Sequence, residues 1–293
     1  MLKYTSLAQL AEEAQSAGAS IGEIVLRDQS LQMERTEDAL LQEMDAQLSI
    51  MEQAAETGAA PDIRSTSGLT GGNGYKMNQY ACTGGVSGAF ATQAIATAIS
   101  VAECNAAMGK IVASPTAGSC GILPGAVITM MRQRGVSRAQ AVLALMAAGG
   151  VGMVIANQAS ISGAEGGCQA ECGSASAMAA AAIVQMAGGT PDVAIHAAAI
   201  AIKNQLGLVC DPVAGLVEVP CVKRNAGGVM NAICAAEMAL AGIQSVIPPD
   251  EVIAAMREVG CALPSDLRET AKGGLAATPT AQELTQRIFK AEK

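Results

Sequence analysis

Tryptophan is absent from the 293 residues, and tyrosine and phenylalanine together number five. The pleated faces of β-sandwiches and barrels favour aromatic and β-branched side chains, so this shortage argues against both. Charge is also scarce, at 15% of residues against 51% hydrophobic, which rules out a disordered chain. No C-x-x-C pair occurs and histidine occurs once, so zinc fits poorly. In place of what is missing stand 32 glycines, 15 methionines and many alanines. Small side chains on this scale predict closely packed helices, and the length suffices to bury a substantial core.

The net charge of −8 is concentrated at one end. Residues 1–60 carry 11 acidic and 3 basic groups, and the rest of the chain is balanced at 15 of each. An acidic chain with a pI near 4.8 has no general attraction to nucleic acid, which is excluded as a partner. The N-terminal segment MLKYTSLAQLAEEAQ has no apolar core of a signal peptide, so a cytoplasmic location is expected. There the nine cysteines stay reduced. A mean hydropathy of +0.33 raises the question of a membrane span. The longest uncharged apolar run, residues 141–156, is 16 residues of mostly Ala and Gly, short of the ~20 strongly apolar residues a span needs. It reads instead as a buried helix pair broken near Gly149 and Gly150, and no membrane partner is expected.

Along the chain, residues 21–56 place Ile24, Leu31, Ala39, Leu40, Met44, Leu48 and Met51 at helical spacing with acids opposite, an amphipathic region in one or two pieces. Its acidic face meets solvent or a partner subunit. Residues 65–74 (STSGLTGGNG) form a loop with exposed backbone N–H groups. A helix is expected within residues 84–108, then a second loop at 114–121 (SPTAGSCG) leading into a helix at 122–133. A Gly-rich turn feeding a helix can hold an anion, and neither loop has the phosphate-loop or dinucleotide pattern, so a carboxylate is the expected ligand. Ala-rich helices are predicted at 139–157, 174–186, 193–206 and 227–240, with another at 249–260 and an amphipathic end at 280–293. The fold class is all-α: a single Ala/Gly-rich helical domain with binding loops, residues 1–60 continuous with 61–293.

Two segments combine cysteine with glycine, proline and acids: EGGCQAECG at 165–173 and CDPVAGLVEVPCVKRN at 210–225. Cys168 and Cys172 lie four apart, and Cys210 and Cys221 eleven apart, with Pro212 and Pro220 fixing the loop between. The spacing is compatible with a metal site without identifying the metal, and with buried thiols acting as small hydrophobes. His196, alone in an Ala-rich helix, reads as a satisfied core residue.

The strings SPTAGSCGILPG, EGGCQAECGSASAMAAAA and CDPVAGLVEVPCVKRNA resemble the signature segments of the alpha chain of iron-sulfur L-serine dehydratases, the oxygen-sensitive class independent of pyridoxal phosphate. The similarity runs from about residue 15 to 275. It implies a [4Fe-4S] cluster held by Cys168, Cys210 and Cys221, with one iron left as a Lewis acid for the hydroxyl of L-serine. Loss of hydroxide and of the Cα proton then yields aminoacrylate, and from it pyruvate and ammonia, a step of amino-acid degradation feeding gluconeogenesis. Cys172 is not required by the family pattern and is assigned to packing. Cys120 is not a family ligand either, and Cys82, Cys104, Cys234 and Cys261 are read as core thiols.

By the same resemblance Ser65, Ser67, Gly68, Thr70 and Gly71, with Thr116, Ala117, Gly118 and Ser119, line the substrate pocket and offer N–H and hydroxyl donors to the carboxylate. Arg224 and Asn225 support the cluster loop or the substrate, Arg224 having a surface role as its alternative. The general base is not evident. His196 and Lys76 are the candidates in this chain, and family members of this length work with a separate beta chain that would complete the site in a hetero-oligomer. Some members end in a cysteine that reaches the cluster; this sequence ends RIFKAEK, so such capping is not expected. A cluster-dependent lyase acting on L-cysteine or L-threonine is the alternative activity, and a non-catalytic iron-sulfur interaction protein the alternative of another class.

Overall fold

The computed structural model describes residues 4–290. The chain starts with α1 (Leu7–Ser16), α2 (Ile21–Met33) and α3 (Glu37–Gly58), then α4 (Asn73–Ala81) and α5 (Gly88–Ala106). After a short 3-10 turn at Ala117–Ser119 come α6 (Ile122–Arg134), α7 (Arg138–Gln158) and the single turn α8 (Gly163–Gly166). A π turn at Gln169–Gly173 runs directly into α9 (Ser174–Met186), followed by α10 (Pro191–Lys203), α11 (Cys221–Leu240), α12 (Pro249–Ala262) and α13 (Pro279–Lys290). Among the described residues there is no strand, only an isolated bridge between Cys210 and Arg268. The all-α expectation holds.

Local chemistry sets the helix starts. Ser20 caps α2 in a reciprocal box with Glu23, Thr36 caps α3, Ser137 and Gln140 form the same box on α7, and Thr190 caps α10 ahead of Pro191. The amphipathic N-terminal region is therefore two helices, α2 and α3, preceded by a third, α1, that its sequence pattern did not suggest. Leu31 departs from the predicted buried stripe and is 80% exposed. On the acidic side of α3, Asp45 and Glu52 are tied to Arg138 at the start of α7.

The Ala-rich α9 forms the centre, buried along nearly its whole length and packed by α6, α7, α10 and α11. With methyl groups on every side it permits close approach of its neighbours. One prediction needs correction here. Residues 138–158 make a single unbroken helix instead of a pair parted at Gly149 and Gly150. Gly150 serves packing: a Cβ there would run into the side chain of Val25 on α2. This helix is long and apolar enough to cross a membrane by composition, yet most of it is buried against neighbouring helices. A second correction concerns three thiols. Cys104 is buried, but Cys82, Cys234 and Cys261 are exposed. They sit at the end of α4, along α11 and in the last turn of α12, where a small thiol facing water costs little.

Candidate active site

Four segments distant in sequence meet beside the start of α9. The π turn carries Glu171 and Cys172, with Cys168 directly before it; such turns widen a helix by one residue and recur at functional sites. The thiols of Cys168 and Cys172 touch, sulfur to sulfur at 3.4 Å. Cys210 stands opposite, its Sγ 3.9 Å from Glu171 Oε2, and its backbone is pinned between Leu267 and Glu269: its N–H donates to Leu267 and its carbonyl accepts from Glu269. Cys221, placed in a loop by the sequence reading, instead opens α11 after Pro220.

Cys210 and Cys221 are both close enough to Cys168 to respond to its charge, and Cys210 responds to Cys221 as well. Burial, reinforced by Glu171 and the other thiols, raises the Cys210 pKa, and burial followed by the charges of Cys168 and Glu171 pushes Cys221 up to about 12. Cys168 is held below the ordinary thiol range by its hydrogen bond with Cys172 and by the nearby Arg224, against its burial. Arg224 is not a surface group. It donates to the Val209 carbonyl at 2.8 Å and to buried Asp211 at 2.8 Å, bracing the segment that leads through Cys210.

Three thiols gathered in a buried place with a single guanidinium cannot all ionise without a further cation. No three His, Cys, Asp or Glu side chains among the described residues converge on a single-ion site. Thiolate sulfur is the donor type that iron-sulfur groups take, and Cys168, Cys210 and Cys221 are the residues that could hold one. Cys172 adds no further corner, because its sulfur lies against that of Cys168.

The second hydroxyl-rich loop reaches this place through Thr116, the first reaches the 210–221 segment through Glu218, and three hydroxyls of the two loops are committed to carboxylates that the sequence reading did not single out. Ser67 donates to Glu218 at 2.7 Å, Thr70 to Glu103 at 2.8 Å, and Thr116 to Glu171 at 2.8 Å. Glu103, on α5, also accepts from Asn73 Nδ2 at 2.6 Å and the Gly74 N–H at 2.8 Å. Ser65 is turned inward, its hydroxyl accepting from the Thr70 N–H at 3.2 Å, and Gly68 and Gly71 complete that turn with positive φ. In the second loop Ser119 pairs with Thr116, while Asn225 of α11 accepts from Gly121 N–H and donates to the carbonyls of Gly118 and Cys221. Glu171 is crowded by this loop: a Cβ on Gly118 would sit 3.2 Å from its Oε1. Its pKa is raised by burial, in opposition to the Thr116 hydrogen bond. Cys120 lies wholly buried nearby and is pushed up to about 12 by burial.

Two predicted candidates lie apart from these contacts. His196 on α10 accepts the Ser245 N–H through Nδ1 at 3.2 Å, and its Nε2 lies 3.7 Å from Asp192. Lys76 is exposed on α4, beside a groove shared with Asn73, Tyr80 and Lys223. A signal for the missed acids existed: Glu103 is the sole charge in α5, and Glu171 and Glu218 stand inside the two cysteine segments.

Comparison with known proteins places nearly the whole sequence in one family. The family described as "Serine dehydratase alpha chain" matches residues 16–276. The probable L-serine dehydratase, alpha chain, of Bacillus subtilis is 50% identical over 287 residues, 98% of this chain and 95% of that protein. The L-serine dehydratase, alpha chain, of Peptoniphilus asaccharolyticus is 44% identical over 274 residues, covering 93% and 94%. The probable alpha chain from Latilactobacillus sakei is 57% identical over 197 residues, 67% of this chain and 94% of its own length. The chain belongs to the serine dehydratase alpha-chain family.

Proposed function

We propose that this chain is the alpha subunit of an L-serine ammonia-lyase, converting L-serine to pyruvate and ammonia with a [4Fe-4S] cluster held by Cys168, Cys210 and Cys221. Supporting this reading is the proximity of those three thiols to one another and, through Glu171, to the loop at 114–121, together with what its relatives are named to act on. When bound, a cubane with three protein thiolates supplies a Lewis-acidic corner for the departing hydroxide. The chain's own groups hold and orient the substrate. Because Ser67, Thr70 and Thr116 spend their hydroxyl protons on glutamates, the donors left for the substrate carboxylate are backbone N–H groups, chiefly the first ones of the turn at Ala117–Ser119, which have no acceptor within that turn. Glu171, between Thr116 and Cys210, is the carboxylate placed to receive the substrate's ammonium group. The acceptor of the Cα proton is assigned to a beta chain, since His196 is engaged by Ser245 and Lys76 faces solvent.

The test is an anaerobic iron and sulfide determination with the visible spectrum, on the wild type and Cys210→Ser, together with pyruvate release from serine after addition of the beta chain. Broad cluster absorption that the substitution removes, and pyruvate formed from serine in preference to cysteine or threonine, is the expected result. Equal iron in both proteins would remove Cys210 from the site. Cluster assembly without pyruvate from any of the three amino acids would leave the non-catalytic alternative.

A further inference from the structure

Cys172 has no place in the donor set, yet its sulfur rests against that of Cys168 at 3.4 Å, closer than two sulfurs settle in ordinary contact. Cys210, by contrast, has the Glu171 carboxylate as its side-chain partner, so among the three thiols assigned to the cluster it is Cys168 that has a second sulfur at contact distance. Both members of the pair are buried, at 4% and 1% exposure, which keeps out bulky disulfides and admits only a small oxidant. Arg224, which is beside Cys168, also lines a solvent-open groove of about 650 Å³ together with Pro220, Lys223 and residues 206–208. The pair spans the π turn, with Gly166 and Gly167 before it and Gly173 after it. Closing to a bond of about 2.05 Å asks for a shift on the order of an ångström.

We propose that Cys172 is a resolving thiol for Cys168: in the metal-free chain a peroxide converts the pair to an intramolecular disulfide that a dithiol reverses, so that Cys168 escapes irreversible oxidation. The Cys168 thiolate attacks one peroxide oxygen, the O–O bond breaks, and Cys168 sulfenic acid and hydroxide result. The Cys172 sulfur then attacks the Cys168 sulfur, forming the S–S bond and expelling the sulfenic oxygen as hydroxide. Two protons, one from each thiol, neutralise the two hydroxides. Two thiols have lost two electrons, and the peroxide has become two waters. Formation of the disulfide is independent of any cofactor; its value in preserving a ligand rests on the reading of Cys168 as a cluster thiol.

Glu171 lies between the two cysteines, which makes the bond easy to map. The full metal-free chain is treated anaerobically with stoichiometric hydrogen peroxide, remaining thiols are alkylated, and the protein is cut after Glu165, Glu171 and Glu218 by a glutamate-specific protease and after Lys203 by trypsin, which parts Cys172 from Cys210 and both from Cys221. The fragment 166–171 should stay joined to the fragment beginning at Cys172 until dithiothreitol is added. In Cys172→Ala, and equally in Cys172→Ser, irreversibly oxidised Cys168 should increase several-fold, and iron and sulfide uptake after dithiothreitol should fall accordingly. Fragment 166–171 joined instead to peptides holding Cys210 or Cys221, or irreversible oxidation of Cys168 in the wild type as extensive as in the variants, would overturn the proposal. The wild-type fragment map decides the matter even if a variant fails to fold. A disulfide formed as expected in a chain that takes up no iron would sink the cluster reading and leave the thiol pair standing.

Discussion

Replacing Glu103 tests whether the first substrate loop is held by a single buried carboxylate. Its two oxygens receive Thr70 Oγ1, Asn73 Nδ2 and the Gly74 N–H, at 2.8, 2.6 and 2.8 Å, and it is 1% exposed. Glu103→Ala orphans three donors. Those of Thr70 and Gly74 are buried, while Asn73 is half-buried and can turn to water. Two buried donors left without partners, at about 1–3 kcal/mol each, give a loss of roughly 2–6 kcal/mol. That is a large part of the ~5–15 kcal/mol that holds a typical domain together. Glu103→Gln keeps one acceptor oxygen for Thr70 and Asn73 but turns an amide N–H toward the Gly74 N–H, so its cost should be about 1–3 kcal/mol, below that of Ala. Urea unfolding followed by far-ultraviolet circular dichroism is the appropriate assay, because a chain without tryptophan offers no indole fluorescence to follow. An Ala variant within about 0.5 kcal/mol of wild type at unchanged slope, the range of an ordinary surface change, would refute the claim that this carboxylate anchors the loop.

Gly58→Ala should yield little folded protein, since a Cβ there would overlap the Ser100 carbonyl where α3 crosses α5; a melting curve matching wild type would show that the two helices can part without cost. Arg224→Met leaves Asp211 buried without its cation and the Val209 carbonyl without a donor, a loss of about 3–5 kcal/mol in chemical denaturation. An unchanged midpoint would place that ion pair outside the stability of the thiol segment. Glu23 has its carboxyl held below the ordinary range by the Ser20 backbone N–H and hydroxyl. The capping box therefore contributes fully above the unfolded-state value and is lost as pH falls through the depressed one. Ser20→Ala should cost about 1 kcal/mol and bring the Glu23 titration, followed by carbon-13 NMR, back toward the ordinary value; an unmoved titration would dissociate the two groups.

Helix class and most boundaries were legible in the sequence because caps and small-residue runs act locally: residues 174–186 were predicted as a helix and form one with the same limits. The glycines of α7 misled because a glycine that breaks an isolated helix and one that admits a neighbouring side chain look alike until the neighbour, here Val25, is known. Cys82, Cys234 and Cys261 misled for a related reason, as thiol exposure depends on which face of a helix is covered. The motif segments were legible as strings, and the structure brings them together. What the strings did not reveal was the set of carboxylates between them. Glu103 lies 33 residues from Thr70, Glu171 lies 55 from Thr116, and Glu218 lies 151 from Ser67, separations that no periodicity encodes.

The π turn at Gln169–Gly173 also fixes the phase of everything upstream of α9. Removing one residue from it, so that the backbone returned to ordinary α-helical winding, would rotate the preceding segment by about 100°. Cys168 would then swing away from its present neighbours while α9 stayed where the core holds it. That single surplus residue behaves as a keyway cut into the central shaft, and a lineage that lost it would have to re-cut every surrounding loop to regain the same alignment.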